Sequence, residues 1–392
     1  MKYNLFTLGE LVTIKYGKNQ KKVQSDNGTI PIYGTGGLMG YATQALYNKP
    51  SVLIGRKGTI NKVHYVDHPF WTVDTLFYTE VNDDAVIPKY LYHLMSLLDL
   101  DSYNEGTTIP SLRTETLNRL EFDIPNLEYQ EKVLSVLDPI DEKIENNIKL
   151  NDNLEEQAVL LFRSWFSSFS QSENVSRRDS EFGEIPTDFS VIKVGSLPML
   201  VTDYVANGSF ASLKENVTLY KESNYAYFVR NTDLKSGSFG VFVDQHSYEF
   251  LSKSTLYGGE IIISNVGDVG SVFLCPKLDG PMTLGNNIIM LRPEDDTLRY
   301  YLYIWFKHLQ GQALIQGIKG GSAQPKFNKT DFKNTSVLLP PANLLSRFHE
   351  TVAPMFEAIG INQSENKRLA SLRDALLPQL MSGEIDVSDI GL

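Results

Sequence analysis

Cysteine is almost absent from the sequence, which has Cys275 alone among its 392 residues. A single cysteine cannot form an internal disulfide, so a disulfide-stapled secreted fold is excluded and a reducing, cytoplasmic environment is expected. Cys275 itself is predicted to be a small buried hydrophobe, because no Cys/His/Asn signature of a thiol enzyme surrounds it. Uninterrupted apolar runs of about 18 residues are missing too, which argues against a membrane span. The N-terminal segment also lacks the apolar stretch typical of a signal peptide.

Catalytic and metal-binding motifs are equally scarce. The sequence has neither a G-x-x-x-x-G-K-[ST] phosphate loop nor a G-x-S-x-G nucleophile elbow. The glycine-rich segment Gly34–Gly40 misplaces the third glycine of a dinucleotide loop and precedes no convincing helix start, so we interpret it as a turn. His64 and His68, with Asp67 and Asp74, match no metal-ligand spacing. We therefore expect no catalytic site, no metal and no cofactor in this chain.

Charge of one sign dominates only locally. The formal net charge is −11, which argues against a nucleic-acid binder that works alone. Residues 1–62 nevertheless carry nine lysines and arginines against two acids, a net of +7. Residues 121–156 carry eleven acids against three lysines, a net of −8. The N-terminal region is therefore a candidate for phosphate contacts, and the acidic segment is not.

The two halves of the chain repeat each other. "GTTIPSLRTETLNRLEFDIP" (residues 106–125) matches "GSAQPKFNKTDFKNTSVLLP" (residues 321–340) at a constant shift of 215 residues. Upstream, "SVLIGRKGTINKV" matches "EIIISNVGDVGSV", with Gly58 paired to Gly267. The shift drifts from one matched segment to the next, which indicates loops of different length on one scaffold. The pattern predicts a tandem duplication of about 200 residues per copy.

Each copy begins with short β-type runs and one amphipathic helix, and it ends in a long helix. This order predicts an α+β protein, in which two pseudo-dyad-related mixed α/β domains are separated by two long helices forming an antiparallel coiled coil. Pro354 is expected to kink the second helix or to end it early. The predicted segments are a first domain (1–125), a first helical spacer (126–168), a serine-rich surface link (169–186), a second domain (187–340), a second helical spacer (341–383) and a tail (384–392).

The long helices carry a coiled-coil pattern. Alternating steps of four and three residues define a first seam: Val133, Leu137, Ile140, Ile144, Asn147, Asn151, Leu154, Ala158, Leu161 and Trp165. A shift of 215 gives the second: Phe348, Val352, Met355, Ile359, Asn362, Asn366, Leu369, Arg373, Leu376 and Leu380.

Both seams have asparagines at the same two places. In an antiparallel pairing Asn147 would face Asn366, and Asn151 would face Asn362. Buried Asn pairs fix register at some loss of stability, and we expect these four residues to set the register of the spacer. Two alternatives remain open: amides that are partly solvated and merely tolerated, and an amphipathic helix that packs only on its own domain.

Basic, hydroxyl and amide side chains cluster beside glycines in both copies. Glycine lets the backbone approach a phosphate, cations neutralise it, and arginine can bind a guanine edge with two hydrogen bonds. The DNA-binding candidates of the first copy are Lys15, Tyr16, Lys18, Lys21, Lys22, Tyr33, Thr35, Arg56, Lys57, Lys62, Thr108, Ser111 and Arg113. Those of the second copy are Arg230, Asn231, Lys235, Ser264, Asn265, Gln324, Lys326 and Lys329. For any one of these cations, the alternative is an exposed, solvated side chain that contacts no DNA.

Several segments, in order and twice over, resemble the specificity subunit of type I restriction–modification systems. They are "GTIPIYGTGGLMGY", "SVLIGRKGTINKV", "GTTIPSLRTETLNRLEFDIPNLEYQEKV" and "KRLASLRDALLPQLMSGEID". The resemblance implies two target recognition domains, each of which reads one half of a split DNA sequence, and a paired helical spacer that sets the unread gap. It also implies two modification subunits that methylate adenine and restriction subunits that join for cleavage. S-adenosylmethionine, ATP and Mg are then expected in those partners, with no catalytic role for this chain.

The second copy departs from the family pattern. Gln130 of "NLEYQEKV" has Leu345 in its place, and the sequence before Gly258 is less typical. Two other functions are therefore weighed. A self-sufficient DNA methyltransferase would need an N/D-P-P-aromatic tetrad, which the sequence lacks. A helical-repeat adaptor that binds protein without reading bases is the remaining alternative.

Overall fold

The computed structural model describes residues 3–321 and 324–391, and the chain divides into two compact units. The first unit comprises residues 1–147 and 364–392, and the second comprises residues 148–363. Within the described part of the chain, no helix is both long and apolar enough to cross a membrane.

The first unit is built on a central antiparallel sheet. Its strands are β1 (Asn4–Thr7), β2 (Val12–Tyr16), β3 (Ile30–Gly34), β4 (Gly37–Ala42), β5 (Ser51–Gly55), β6 (Val63–Val66), β7 (Trp71–Thr72), β8 (Leu76–Val81) and β9 (Glu121–Ile124). Its helices are α1 (Leu8–Leu11), α2 (Pro88–Ser96) and α3 (Thr114–Asn118), with a 3-10 turn at Leu100–Tyr103. The long α4 (Leu127–Phe162) begins in the first unit and ends in the second. The central sheet runs β2–β8–β5–β6, a smaller sheet runs β4–β3–β7, and β1 pairs with β9. All of β5 is buried, which explains why its sequence reads as a continuous apolar run.

The second unit repeats this plan with insertions. Its strands are β10 (Arg177–Ser180), β11 (Gly183–Pro186), β12 (Ser190–Lys193), β13 (Met199–Asp203), β14 (Leu219–Tyr220), β15 (Ala226–Val229), β16 (Phe242–Val243), β17 (Thr255–Leu256), β18 (Ile261–Ser264), β19 (Val272–Leu274), β20 (Met282–Leu284), β21 (Ile288–Pro293) and β22 (Ser336–Leu339). Its helices are α5 (Phe210–Asn216), α6 (Asn231–Ser236), α7 (Gln245–Phe250), α8 (Thr297–Lys307), α9 (Leu309–Gly317) and α10 (Lys329–Asn334). The long α11 (Ala342–Met381) begins in the second unit and ends in the first. Short 3-10 turns lie at Val194–Ser196, Tyr204–Asn207 and Ser252–Ser254.

The strand orders confirm the predicted duplication and the α+β class. The order β13–β21–β18–β19 repeats β2–β8–β5–β6, and β12–β22 repeats β1–β9. The smaller sheets differ in size, because β14–β16–β15–β20–β17 adds edge strands to the parallel pair β15–β20, which corresponds to β3–β7. The drifting sequence shift therefore reflects insertions around a shared sheet.

The long helices pair antiparallel within each unit. In the first unit, Asp141 of α4 contacts Arg373 of α11, and Asn147 contacts Asn366. In the second unit, Asn151 contacts Asn362, and the Phe162 ring lies 6.1 Å from that of Phe348. Numbers along α4 rise as those along α11 fall, as the seams predict. Arg373, the charged exception in its seam, is accommodated by ion pairs to Asp141 and Asp374.

Proline does not interrupt either long helix. The break or early end considered at Pro354 is wrong, because α11 is continuous from Ala342 to Met381. Pro139 occupies the equivalent position inside α4. Local hydrogen-bond loss at proline is therefore outweighed by packing on both sides, since Val133, Leu137, Phe348 and Val352 are fully buried. A π-helical turn at Arg163–Ser167 follows α4.

The serine-rich segment 169–186 is more structured than a surface link. It contains the hairpin β10–β11, whose turn at residues 181–182 leads into Gly183 with φ +86°. Ile185 is fully buried, and the Arg177 guanidinium lies 4.8 Å from the centre of the Phe169 ring. Three aromatic and aliphatic side chains among the serines therefore anchor the segment on the second unit: Phe169, Phe182 and Ile185.

Gln130 in the first copy and Leu345 in the second occupy the same position but make different contacts. Its side chain is fully buried, accepts from the Ile87 N–H at 2.8 Å, and donates to the carbonyls of Ala85 and Pro125 at 3.0 and 2.9 Å. Two of these hydrogen bonds fasten the first spacer helix to the loop at residues 85–87, and the third joins it to the segment just before the helix. Leu345, its counterpart, packs in an apolar core instead. Gln130 fixes the start of the first spacer helix by polar contacts, and Leu345 fixes the start of the second by apolar packing.

Candidate nucleic-acid interface

Two loops are tied together at the end of the central sheet in the first unit. The Gly58 N–H donates to the Pro110 carbonyl at 2.9 Å, and the Leu112 N–H donates to the Arg56 carbonyl at 3.0 Å. The second of these loops closes on itself through Glu105 N–H and the Ser111 carbonyl at 2.9 Å. We call residues 56–59 and 105–112 the first loop pair. These hydrogen bonds hold the backbones of the two loops together.

The second unit contains the same construction. The Gly267 N–H donates to the Pro325 carbonyl at 2.9 Å, and the Phe327 N–H donates to the Asn265 carbonyl at 3.0 Å. The Gly320 N–H donates to the Lys326 carbonyl at 2.8 Å. We call residues 265–268 and 320–327 the second loop pair; Ser322 and Ala323 lie outside the described residues. The repeat noticed in the sequence is therefore a repeat of backbone hydrogen bonds.

Glycine is required at the tip of each pair. Gly58 has φ +90° and Gly267 has φ +78°, a region that L side chains rarely adopt. A methyl group at either tip would meet no atom closer than 4.0 Å. Backbone conformation, and not space, therefore selects glycine at both positions.

The first loop pair presents positive charge beside an exposed aromatic ring. The Arg56 guanidinium donates to the Asp74 carbonyl at 2.9 Å and lies 5.1 Å from the centre of the Tyr16 ring. Tyr16 is 52% exposed, and Lys57 is exposed at the tip. Thr35 approaches the same tip, with its hydroxyl 4.0 Å from the position of a Cβ on Gly58. The sequence candidates Tyr16, Thr35, Arg56, Lys57 and Ser111 are thus brought together.

The other candidates of the first copy are placed less uniformly. Lys15 pairs with Glu80 at 3.4 Å, and Arg113 pairs with Glu105 at 3.1 Å. The Tyr33 hydroxyl lies 3.3 Å from His68 Nε2. Five of the candidate lysines in the first copy are exposed and have no ion pair within the described part of the chain: Lys18, Lys21, Lys22, Lys57 and Lys62. Thr108 is exposed on the second loop of the pair.

Most cations predicted in the second copy are held by acids of the same unit. Arg230 donates to both oxygens of Asp233 at 2.9 and 2.6 Å. Lys235 lies 3.3 Å from Asp268. These pairs reduce the positive charge that the second copy offers to phosphates.

Two predicted contacts of the second copy need correction. Lys329 is bound to Asp203 at 2.8 Å with 28% of its side chain exposed, so its charge is largely neutralised. Ser264 is fully buried, which removes its hydroxyl from the accessible surface. Sequence reasoning missed both because residue type reveals neither ion-pair partners nor burial. Of the remaining candidates, Gln324 and Lys326 are exposed, whereas Asn231 and Asn265 are half-buried.

Equivalent positions of the two loop pairs differ in charge. Where the first pair has Arg56, Lys57 and Thr59, the second has Asn265, Val266 and Asp268. The position of Tyr16 is taken by Asp203, which pairs with Lys329. The same backbone frame therefore carries a cationic tip in one unit and an acidic tip in the other.

The seam asparagines meet as the antiparallel pairing predicts. Asn147 Nδ2 donates to Asn366 Oδ1 at 2.8 Å and to Glu365 Oε2 at 2.7 Å. Asn362 Nδ2 donates to Asn151 Oδ1 at 2.8 Å. Asn147 is 2% exposed, while the other three are half-buried. Each of the two interpretations from the sequence therefore applies to one pair. The Asn147–Asn366 contact includes a buried amide, and the Asn151–Asn362 contact is partly solvated.

A buried histidine lies where α2 meets α4. His93 is 2% exposed, with Nε2 3.9 Å from Asp141. Burial, opposed by Asp141 and reinforced by Lys89, lowers the pKa of His93 to about 4. Cys275 is buried, as predicted, and burial raises the pKa of its thiol. Among the described residues, no group of three or more His, Cys, Asp or Glu side chains is arranged to hold a metal ion.

Known proteins match most of this chain. Residues 1–156 and 204–369 match the family of the type I restriction modification DNA specificity domain. The chain is 28% identical over 363 residues to the type I restriction enzyme MjaIX specificity subunit of Methanocaldococcus jannaschii, covering 88% of this chain and 80% of that protein. It is 24% identical over 379 residues to the HindI specificity subunit of Haemophilus influenzae, covering 80% and 81%.

A solved structure supports the fold. The S subunit of the type I restriction–modification system from M. genitalium superposes with a TM-score of 0.57 at 18% identity. The superposition covers 97% of this chain and 96% of that one.

Proposed function

The chain belongs to the type I restriction modification DNA specificity family and recognises DNA sequence, and we propose that each loop pair reads one half of a bipartite target. The repeated loop pairs carry this proposal. Both tips are glycines with positive φ, and both are fixed by the same pair of interloop hydrogen bonds. A duplicated backbone frame with different side chains is suited to reading two different half-sequences with one docking geometry.

The first loop pair is proposed to contact phosphates and a guanine edge. Lys57 is free to neutralise a phosphate, and Arg56 is oriented by the Asp74 carbonyl and the Tyr16 ring. A guanidinium held by its neighbours loses less side-chain entropy on binding than a mobile one. The exposed lysines Lys18, Lys21, Lys22 and Lys62 add charge around this frame.

The paired helices are proposed to set the unread gap between the half-sequences. Their seams hold amide pairs at defined positions, Asn147 with Asn366 and Asn151 with Asn362. Sliding the helices by one heptad would separate every amide from its partner, and Asn147 would be left buried without a hydrogen bond. One register is therefore favoured over its neighbours.

Chemistry is proposed to reside in partner subunits. Two modification subunits would bind this chain and methylate adenine in each half-sequence with S-adenosylmethionine. Restriction subunits would use ATP and Mg for cleavage. The assembly would act in the cytoplasm, where it meets cellular DNA. This chain would direct those activities without a catalytic residue of its own.

Mapping methylated adenines across the genome tests the proposal. Cells with this chain and its modification partner should show methylation at one split motif, and cells lacking the chain should lose it. The Asn265→Ala variant should change the preferred bases in one half of the motif and leave the other half intact. An assembled complex that binds all duplexes equally would instead indicate the protein-binding adaptor.

A further inference from the structure

Asp268 occupies the acidic tip of the second loop pair, next to Gly267. Its counterpart in the first unit is Thr59, beside the cations Arg56 and Lys57. A carboxylate in this position is repelled by DNA phosphates, so it gains nothing from the contact that the first loop pair is suited to make. An exposed acid at a DNA-facing tip needs a different partner.

The carboxylate of Asp268 is held asymmetrically. Its Oδ2 atom accepts from the Ser271 hydroxyl at 2.8 Å, from Lys235 Nζ at 3.3 Å and from Asn231 Nδ2 at 3.5 Å. Among the described residues, Oδ1 accepts no hydrogen bond. The side chain remains 43% exposed. One oxygen is therefore fixed, and the other is presented as an unused acceptor.

The same neighbours keep Asp268 ionised. Hydrogen bonding from Ser271, opposed by burial and assisted by Lys235 and Asn231, lowers the pKa of the carboxyl. Lys235, whose side chain is 66% exposed, also offsets part of the repulsion between the carboxylate and nearby phosphates. The tip is thus a fixed anionic acceptor beside an exposed cation.

Hydrogen-bond donors on base edges are few. In the major groove they are the N4 amino group of cytosine and the N6 amino group of adenine. Guanine and thymine present acceptors at the corresponding places, which would face a carboxylate with repulsion. An ionised acceptor therefore favours cytosine and adenine by hydrogen bonding and disfavours guanine and thymine by repulsion.

We propose that Asp268 Oδ1 accepts a hydrogen bond from an exocyclic amino group of cytosine or adenine in the half-sequence read by the second unit. This inference rests on the proposed function. It assigns opposite chemistry to the two tips: the first donates hydrogen bonds through Arg56 and Lys57, and the second accepts one through Asp268. The common backbone frame places both contacts at the glycine tips, with Arg56 and Lys57 before Gly58 and Asp268 directly after Gly267.

The assembled complex of this chain with its modification partner is the material for the test. A DNA library randomised in both half-sequences is methylated, and the methylated molecules are sequenced. Asp268→Asn keeps the size of the side chain and removes its charge, and Asp268→Ala removes the acceptor. Glu249→Gln is the matched control, because Glu249 is an exposed acid of the same unit whose side chain accepts a hydrogen bond from Gln245 at 2.8 Å.

Both Asp268 variants should relax one position of the second half-sequence. The preference for the base pair with the amino group should fall about tenfold, the change that loss of one base contact produces. The first half-sequence and the Glu249→Gln profile should match the wild type. Circular dichroism melting verifies that each variant remains folded.

Three results would overturn the inference. Unchanged selectivity in both Asp268 variants would show that the tip reads no base. A base preference lost in the first half-sequence would show that Asp268 does not contact the half-sequence assigned to the second unit. Wild-type complex without any sequence preference would remove the proposed function itself, and this inference with it, so the two failures are distinguished by the wild-type profile.

Discussion

Asn147 donates a hydrogen bond to Asn366 across the paired long helices at 2.8 Å, and Asn147 is 2% exposed. The contact joins positions that are equivalent to Asn362 and Asn151 in the duplicated sequence. Buried amides are satisfied here only when the two helices hold one register. The register of the paired helices therefore depends on the side chains of Asn147 and Asn366.

Replacing one amide of the buried pair should destabilise the protein more than replacing both. We expect Asn147→Leu to lower the free energy of unfolding by about 1–2 kcal/mol, because Asn366 loses its donor. Adding Asn366→Leu should recover most of that loss by apolar packing. Urea denaturation of the single and double variants measures the coupling.

The Asn151–Asn362 pair provides the control. It has the same hydrogen-bond length of 2.8 Å, but both amides are half-buried. Water can replace a lost partner there, so Asn151→Leu should have the smaller effect. Strictly additive losses in the Asn147/Asn366 cycle would contradict a register contact. Methylated half-sequences with an altered gap in the double variant would confirm looser register.

Neutralising the first loop pair should weaken DNA binding in a salt-dependent way. The Arg56→Gln, Lys57→Gln double variant of the assembled complex should reduce the slope of log affinity against log salt by about 1–2, since each phosphate contact contributes about 0.9. Fluorescence anisotropy at several salt concentrations gives the slope. Lys329→Gln is the contrast, because its cation is already paired with Asp203. An equal loss of slope in both variants would exclude a special role for the first loop pair.

Acidification should destabilise the first unit through His93. Its pKa is lowered from 6.5 to about 4 in the folded protein. Between these values the unfolded chain binds a proton that the folded one does not, so stability is lost as pH falls from 6.5 towards 4. The loss is on the order of 3 kcal/mol when complete. Urea denaturation at successive pH values should show it.

His93→Gln isolates that contribution. Differences between this variant and the wild type cancel the titration of carboxylates elsewhere, and the variant should show the weaker dependence on pH in this window. His246→Gln, a substitution at an exposed histidine, should follow the wild type. Parallel pH profiles for wild type and His93→Gln would contradict the assignment.

A methyl group at the first tip should strain the loop without any clash. Gly58→Ala is expected to lower stability by about 1 kcal/mol, because alanine disfavours φ +90°. Affinity of the assembled complex for DNA should fall as well, since the Gly58 N–H holds the two loops together. Gly36→Ala is the control, as a Cβ there meets nothing within 4 Å and no positive φ is required. Equal effects at both glycines would contradict a conformational origin.

The sequence predicted the architecture because duplication doubles each signal. A glycine or a proline at a fixed shift of 215 residues is informative where a single one is not. The partners of Asn147 and Asn151 followed from the same symmetry. Proline was misleading at Pro354, since the local penalty for proline in a helix is smaller than the packing energy of the surrounding apolar seam.

Sequence alone thus determined the repeated plan, the antiparallel seams and the family, all of which depend on periodic patterns along the chain. Tertiary structure decided which polar side chains are available. Asp203 and Lys329 are separated by 126 residues, and only folding brings them to 2.8 Å. Ion pairing and burial depend on distances across the fold, whereas periodicity depends on order along the chain. For that reason only the folded structure shows that Asp268 lies at a loop tip with one carboxylate oxygen hydrogen-bonded and the other available.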